Sequence, residues 1–250
     1  MELSGSSVIV TGAASGLGAA TAAALAEQGA MVHGFDLADA PGAAPAGVRL
    51  VKVDVTDATA LAEAMASVRN AGAPLRVVVN CAGIAPSERI VGRKGVHDLA
   101  RFARVVQINL VGTFQVMALA AEVMAAQEPD ASGNRGVVVN TASIAAYDGQ
   151  VGQAAYAASK GGIASLTLPA ARDLAQHGIR VVTIAPGIML TPMMQTVSEE
   201  FRAGLAAGAP YPSRFGAPEE YADLVGAIVR NDYLNGEVIR LDGALRMAPR

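Results

Sequence analysis

Ser7-Val-Ile-Val-Thr11-Gly12-Ala-Ala-Ser15-Gly16-Leu17-Gly18 is the stretch that decides the fold. Its first five residues are a short apolar run rich in β-branched side chains, the pattern of a buried parallel strand. Glycines follow at once, and then Ala19–Gln28, an alanine-rich run of strong helix formers. Strand, glycine loop and helix in that order build a phosphate cradle. The glycines let the backbone turn tightly and approach a pyrophosphate. The helix N-terminus offers free N–H groups and a positive dipole end. The spacing is Gly-x-x-x-Gly-x-Gly and not the commoner Gly-x-Gly-x-x-Gly, so a glycine turn without a ligand is the alternative reading.

The next strand, Met31–Asp36, ends in an acid eighteen residues after Gly18. That is near the distance expected of a carboxylate that accepts from the hydroxyls of an adenosine ribose. Such a carboxylate repels a 2′-phosphate. No basic residue stands in the glycine loop or beside Asp36, so the charges favour NAD over NADP. An acid that only caps a turn is the alternative. Val48–Val53 reads as a third strand leading to Asp54 and Val55, placed to meet an adenine amino group and to pack beside its ring. Asp57, or Thr56 before it, caps a helix over Ala58–Ala71. Leu75–Asn80 is the fourth strand. It runs into Cys81-Ala82-Gly83, whose small side chains allow close approach of the backbone to a cofactor.

Asn140 to Lys160 carries the reactive groups. Tyr156 and Lys160 are four apart and share one face of a helix. A phenol ionises near ~10, and a neighbouring ammonium is expected to lower that value. Ser143, arriving from the strand Gly136–Thr141, is placed to hold a substrate oxygen beside the phenol. Together these groups can move a proton on or off a carbinol oxygen while a hydride moves at its carbon. Asn109 stands in an apolar helical run, about Phe102–Gln127, and its amide needs partners. It either forms part of a proton path through backbone and water or marks a helix kink.

Strands alternate with helices along the whole chain, with Arg180–Ile184 and Glu237–Leu241 as the last two. Continuous β-branched runs between helices imply a parallel sheet covered on both faces, in one α/β domain over residues 1–250. Ala38–Gly47 and Glu128–Arg135 read as surface loops. A formal charge of −3 gives no case for nucleic acid. No 18-residue apolar span suggests a membrane helix, and Met1–Ser7 does not read as a signal peptide, so the expectation is a cytoplasmic protein. Cys81 is the single cysteine, which excludes an intrachain disulfide and a cysteine zinc cluster. His33, His97 and His177 have no ligand spacing, so no metal is expected. Arg93 and Lys94 are either a solvated face or an attraction for an anionic substrate.

The set Thr11-Gly-x-x-x-Gly-x-Gly18, Asn80-x-Ala-Gly83, Asn109, Ser143, Tyr156-x-x-x-Lys160 and Pro186-Gly187 resembles the short-chain dehydrogenase/reductase family over essentially the whole chain. The resemblance implies a single Rossmann-type, doubly wound sheet of about seven parallel strands in the order 3-2-1-4-5-6-7. It implies a homotetramer, or sometimes a dimer, joined through the helices near Phe102–Gln127 and Ala154–His177. It implies Ser143, Tyr156, Lys160 and Asn109 as the catalytic set. NAD would then touch Gly12, Ser15, Leu17 and Gly18 at its phosphates and Asp36 at its ribose. Asp54, Val55 and Cys81 would lie along the adenine side, and Ala82 and Gly83 would also border the cofactor. Tyr156 and Lys160 would face the nicotinamide half, which Pro186, Met189 and Thr191 would wrap.

Gly149–Tyr156, Leu166–Asp173, Pro212–Gly216 and Leu234–Ala244 resemble the type 2 3-hydroxyacyl-CoA dehydrogenase branch of that family. This implies NAD-dependent, reversible oxidation of 3-hydroxyacyl-CoA to 3-oxoacyl-CoA in fatty acid metabolism. The chain departs from that branch mainly in Pro86–Leu99 and Gly187–Ala209, both expected to border the substrate. Gln150 and Gln153 either edge the substrate beside Ser143 and Tyr156 or tie down their loop. Met189, Met193, Met194, Phe201, Leu205 and Tyr211 read as an adaptable lid or as an ordinary packed helix. Rival functions are a hydroxysteroid dehydrogenase, a 3-oxoacyl-carrier-protein reductase and a catalytically idle scaffold subunit. Asp36 disfavours the NADPH-dependent reductase, and the complete Ser/Tyr/Lys/Asn set argues against idleness.

Overall fold

Neighbouring valines of one strand enter opposite layers of the protein. A computed structural model describes residues 1–38, 44–93, 95–191, 206 and 208–249. Its main strands are β1 Ser7–Thr11, β2 Met31–Asp36, β3 Val48–Lys52, β4 Leu75–Asn80, β7 Gly136–Thr141, β8 Ile179–Pro186 and β9 Val238–Leu241. A small antiparallel hairpin, β5 Val91–Gly92 with β6 Gly95–Val96, stands apart. The helices are α1 Gly16–Glu27, α2 Ala58–Arg69, α3 Leu99–Val106, α4 Thr113–Ala125, α5 Ala154–Leu174 and α6 Pro218–Arg230. Side chains alternate across a strand. Val8, Val10, Val77, Val79, Val137 and Val139 therefore join the core under α1 and α6 with Leu25, Tyr221 and Val225. Ile9, Val78, Val138 and Val181 join the other core with Leu61, Met65, Val116 and Ala120. Both faces are buried, which is why these strands are continuous apolar runs.

The seven main strands are all parallel in the order β3-β2-β1-β4-β7-β8-β9. The chain winds one way from β1 to β3 and the other way from β4 to β9. The strand ends diverge between β1 and β4, and a crevice opens there beyond the carboxyl ends. Two glycines shape it. Gly12 has φ +68°, and a Cβ there would stand 2.9 Å from the Ala82 nitrogen. A Cβ on Gly18 would run into the Gly12 carbonyl oxygen. Only glycine lets α1 close on the loop and the loop close on β4.

Several boundaries differ from the sequence reading. Helix α1 begins at Gly16 and not at Ala19, because Ser15 is the extended residue from which the helix starts. Strand β8 extends two residues beyond Ile184, through Pro186, and the hairpin β5–β6 was not foreseen. The expected helix Phe102–Gln127 starts earlier, at Leu99, where the Asp98 carboxylate accepts from the Ala100 and Arg101 N–H groups. It is interrupted by a π turn at Gln107–Gly112. The expectation of no apolar span also needs correction. Leu99–Ala125 is a 27-residue helical run with mean hydropathy 1.5 over 18 residues, long and apolar enough to cross a membrane. Half of that window is buried, and Val116, Met117, Ala120, Ala121, Val123 and Met124 of the run pack into the core.

Asp57 is the residue that caps α2, accepting from Thr59 N at 2.9 Å and Ala60 N at 3.0 Å. Asp57→Ala should cost about 1 kcal/mol, which lowers the melting temperature by roughly 2–4 °C in a chain of this size. Differential scanning calorimetry checks this. An unchanged melting temperature would mean that solvent replaces the cap.

Candidate active site

The crevice is clamped before it is lined. The Thr11 hydroxyl, at the end of β1, accepts from both Cys81 N and Ala82 N at 3.1 Å. Gly12 N donates to the Phe35 carbonyl at 2.8 Å. Asp36 accepts from Ala14 N (2.9 Å) through one carboxylate oxygen and from Ala38 N (3.0 Å) through the other. It thus holds the glycine loop, and each oxygen keeps a lone pair for a ribose hydroxyl. Asp54 Oδ1 accepts from Thr56 N and Thr56 Oγ1, at 2.8 and 2.7 Å. Ser15 makes no side-chain capping bond to α1, so its hydroxyl and the first N–H groups face the cavity available to an anion.

The cavity measures about 1080 Å³. All the residues expected to contact a cofactor line it: Gly12, Ser15, Leu17, Gly18, Asp36, Asp54, Val55, Cys81, Ala82, Gly83, Tyr156, Lys160, Pro186, Met189 and Thr191. Ser143 lines it too. The cradle that added methyl groups would fill, the uncapped helix and the acid at the end of β2 fit a dinucleotide. Sequence reasoning missed Ile84, Ala103, Arg104, Gln107 and Ile108, which also face the cavity. The last four recur at helical spacing on one face of the helical run, a pattern visible in hindsight.

Ser143 follows β7 and caps the 3-10 turn Ile144–Ala146, its Oγ accepting from Ala145 N at 3.1 Å. Its own proton stays available to a substrate oxygen or to the Tyr156 phenol. Tyr156 lies in the first turn of α5, and Lys160 one turn later. Lys160 is only 4% exposed, and its ammonium donates to the Thr141 carbonyl at 2.7 Å. It stands 5.8 Å from the centre of the Tyr156 ring. Burial brings Lys160 down to about 8, only partly opposed by the neighbouring Cys81 thiol.

The sequence reading gave Lys160 the task of lowering the phenol's pKa. Burial works against that task. Burial pushes the Tyr156 phenol above its ordinary value, and the Ser143 hydrogen bond pulls it only part of the way back. The ammonium is bonded to a carbonyl and not to the phenol, so desolvation is the larger influence.

Asn109 stands in the π turn, fully buried and behind the cavity wall. Its Oδ1 accepts from Ile84 N (2.8 Å), and its Nδ2 donates to the Ile84 carbonyl (2.9 Å) and to Ser159 Oγ (3.0 Å). Both amide protons are used, so the side chain pins the segment after β4 beside Lys160. Gln150 and Gln153 do not line the cavity. Gln153 Oε1 accepts from Gln150 N at 3.0 Å, and Gln150 Nε2 donates to the Ala248 carbonyl at 2.8 Å. These bonds match the loop-tying alternative.

Met189 packs into the core with Tyr221 and Val225 of α6 and also borders the cavity. The loop is held by Leu190 N to the Gly216 carbonyl (2.8 Å) and Gly216 N to the Ile188 carbonyl (3.0 Å). Of the expected lid, Met193, Met194, Phe201 and Leu205 lie outside the described residues, as does Lys94. Tyr211 is exposed. The Cys81 thiol sits 3.7 Å from both Thr141 Oγ1 and Tyr221 OH, behind the cavity, and burial raises its pKa. That suits a small wall residue and not a nucleophile. Among the described residues no cluster of three His, Cys, Asp or Glu side chains could hold a metal.

A model of the family described as short chain dehydrogenase matches residues 6–202. The chain belongs to the short-chain dehydrogenase family. Among similar relatives, the 3-hydroxyacyl-CoA dehydrogenase type-2 of Bos taurus is 50% identical over 248 residues, covering 96% of this chain and 95% of the relative. The Homo sapiens protein of the same description matches at 50% with the same coverage. The (3R)-3-hydroxyacyl-CoA dehydrogenase of Mus musculus is 35% identical, covering 99% of this chain and 98% of the relative. The crystal structure of 3-hydroxyacyl-CoA dehydrogenase type-2 from Mycobacterium avium superimposes with a TM-score of 0.92 at 43% identity over 98% of both chains.

The buried lysine gives this dehydrogenase a pH signature. Folded Lys160 releases its proton near 8, whereas an unfolded lysine keeps it to about 10.5. Between those values the unfolded chain binds more protons, so this group makes stability rise with pH. Urea unfolding of the protein alone at pH 8 and pH 10 should show a gain over Lys160→Met. Parallel behaviour of the two proteins would mean that Lys160 titrates normally.

Proposed function

We propose that the chain catalyses the NAD-dependent, reversible oxidation of 3-hydroxyacyl-CoA to 3-oxoacyl-CoA. The observation that carries this reading is the meeting of Ser143, Tyr156 and Lys160 in one cavity that Asp36 also lines. The full-length likeness to 3-hydroxyacyl-CoA dehydrogenases supports the substrate class. The nicotinamide, when bound, supplies the hydride acceptor or donor. Asp36 would accept from the adenosine ribose hydroxyls and repel a 2′-phosphate. Lys160 would hold the nicotinamide ribose. Ser143 would donate to the substrate oxygen and align it. Tyr156 would take the hydroxyl proton in oxidation and return it in reduction.

Because burial raises the phenol, its activation would come from positive charge brought beside it, which Lys160 and a bound nicotinamide would supply. Asn109 then acts by fixing the wall beside Lys160, and through it any water path to solvent. Arg93, on the turn between β5 and β6, would be a candidate cation for the anionic CoA end. The same reading takes the protein to be a cytoplasmic homotetramer. Phe114 on α4 and Leu168 on α5, 54% and 44% exposed, support a helix-to-helix contact between copies.

Initial rates with NADH against acetoacetyl-CoA, a free β-ketoester and a ketosteroid test this, each repeated with NADPH. The thioester should turn over fastest, and NADPH should serve poorly. Tyr156→Phe should lower kcat by about 10²–10⁴-fold while NADH still binds. Near-normal turnover in that variant, or no thioester activity in a protein that binds NADH, would overturn the reading.

A further inference from the structure

Ser143 and Tyr156 flank one connection, from the end of β7 to the first turn of α5, and the middle of that connection has little regular structure. A single 3-10 turn ends at Ala146, and α5 begins only at Ala154. The far end of the chain fixes much of the stretch between. Arg240, in β9, donates through Nη2 to Asp148 Oδ2 at 2.6 Å and to the Leu245 carbonyl at 3.0 Å. Its Nε donates to Asp242 Oδ2 at 2.6 Å, and its guanidinium lies 5.3 Å from the centre of the Tyr147 ring. Beyond that ion pair, Gln150 Nε2 donates to the Ala248 carbonyl at 2.8 Å and Val151 N to the Pro249 carbonyl at 3.1 Å. Asp242 also accepts from Ala244 N and Arg246 Nη1, which folds the tail back on β9.

Tyr147, Asp148, Gln150 and Val151 are therefore all tied to residues 240–249. The adenosine and phosphate half of the cavity stands on β1, β2 and β4, and none of these tail bonds reaches it. We infer that the C-terminal segment Leu245–Pro249, with Arg240 beneath it, is a positioning element for catalysis. It sets the separation of the Ser143 hydroxyl from the Tyr156 phenol and so governs turnover while leaving cofactor binding alone. The effect is geometric: reacting groups displaced by about 1 Å can lose on the order of 10²-fold in rate. Both glutamine bonds of the loop then serve this purpose, and Gln150 is a tail anchor and not a substrate contact.

The inference rests on the dehydrogenase reading, so the parent chain's turnover of acetoacetyl-CoA with NADH is the reference. Two variants test it: a chain ending at Met247, which keeps the Arg240–Asp242 ion pair, and Gln150→Ala. NADH affinity by fluorescence titration, melting temperature, and kcat and KM for acetoacetyl-CoA are measured for each and for the combination. The shortened chain should lose about tenfold in kcat, Gln150→Ala part of that, and NADH affinity should stay within about twofold. Because both changes cut the same bond, the combination should be no worse than the shortened chain.

A lower melting temperature with unchanged kcat per NADH-binding site would show a merely structural tail and overturn the inference. So would additive losses, or a raised KM at unchanged kcat in Gln150→Ala, which would make Gln150 a substrate contact. If the shortened chain does not fold, Gln150→Ala decides alone, and an unchanged kcat there overturns the inference. A parent chain that binds NADH but turns over no thioester sinks the dehydrogenase reading itself, which is a different failure.

Discussion

The seam between β1 and β4 is the constraint on which the rest of the site depends. These two strands are neighbours, yet the chain leaves them toward opposite edges of the sheet. One hydroxyl, Thr11 Oγ1, takes two backbone N–H groups from the far side of the seam. Glycine at position 12 allows the loop to touch Ala82, and glycine at position 18 allows α1 to touch the loop. Buried N–H groups must find partners, so without Thr11 the Cys81 and Ala82 N–H groups in the turn after β4 would lose theirs. The cradle, the acid at Asp36 and the floor at Cys81–Gly83 all take their positions from this junction.

The other half of the cavity is governed by burial. Lys160 sits at the end of β7 with its ammonium on a strand carbonyl, and it is destabilised as a charge. Tyr156 beside it is destabilised as a phenolate. The two costs point in a useful direction. The phenolate would gain from positive charge brought into the cavity and the ammonium from hydrogen-bond acceptors, both of which the proposed cofactor would supply. The polypeptide holds the pair ready, and the loaded site would complete the electrostatics.

Local patterns were legible in the sequence, and long-range ones were not. The parallel sheet followed from runs such as Leu75–Asn80, because a strand buried on both faces must be apolar throughout. The glycine loop, Asp36 and the Tyr156–Lys160 pair were legible because their spacing is set by a turn or by a helix repeat. Asn109 could be singled out as an amide in an apolar run, but not its partner Ile84, which lies 25 residues away. Gln150, between Ser143 and Tyr156, could be read from the sequence either as edging the substrate or as tying down the loop. Its actual partner, Ala248, is 98 residues distant, and nothing near Gln150 announces it. The helix Leu99–Ala125 misled in a different way, since its total hydropathy was overlooked among alanines and glycines while its burial belongs to the fold.

The central claim is that one cavity holds a reduced nicotinamide and a 3-oxoacyl thioester close enough for direct hydride transfer, with Tyr156 closing the reaction as an acid. Reduction of acetoacetyl-CoA with NADH carrying deuterium on one face of C4 tests it most directly, with the product analysed by mass spectrometry. The account predicts that one of the two C4-deuterated forms delivers its label to C3 of the 3-hydroxyacyl product, and the other retains it. Label lost to water from both forms, or no reduction at all, would contradict it.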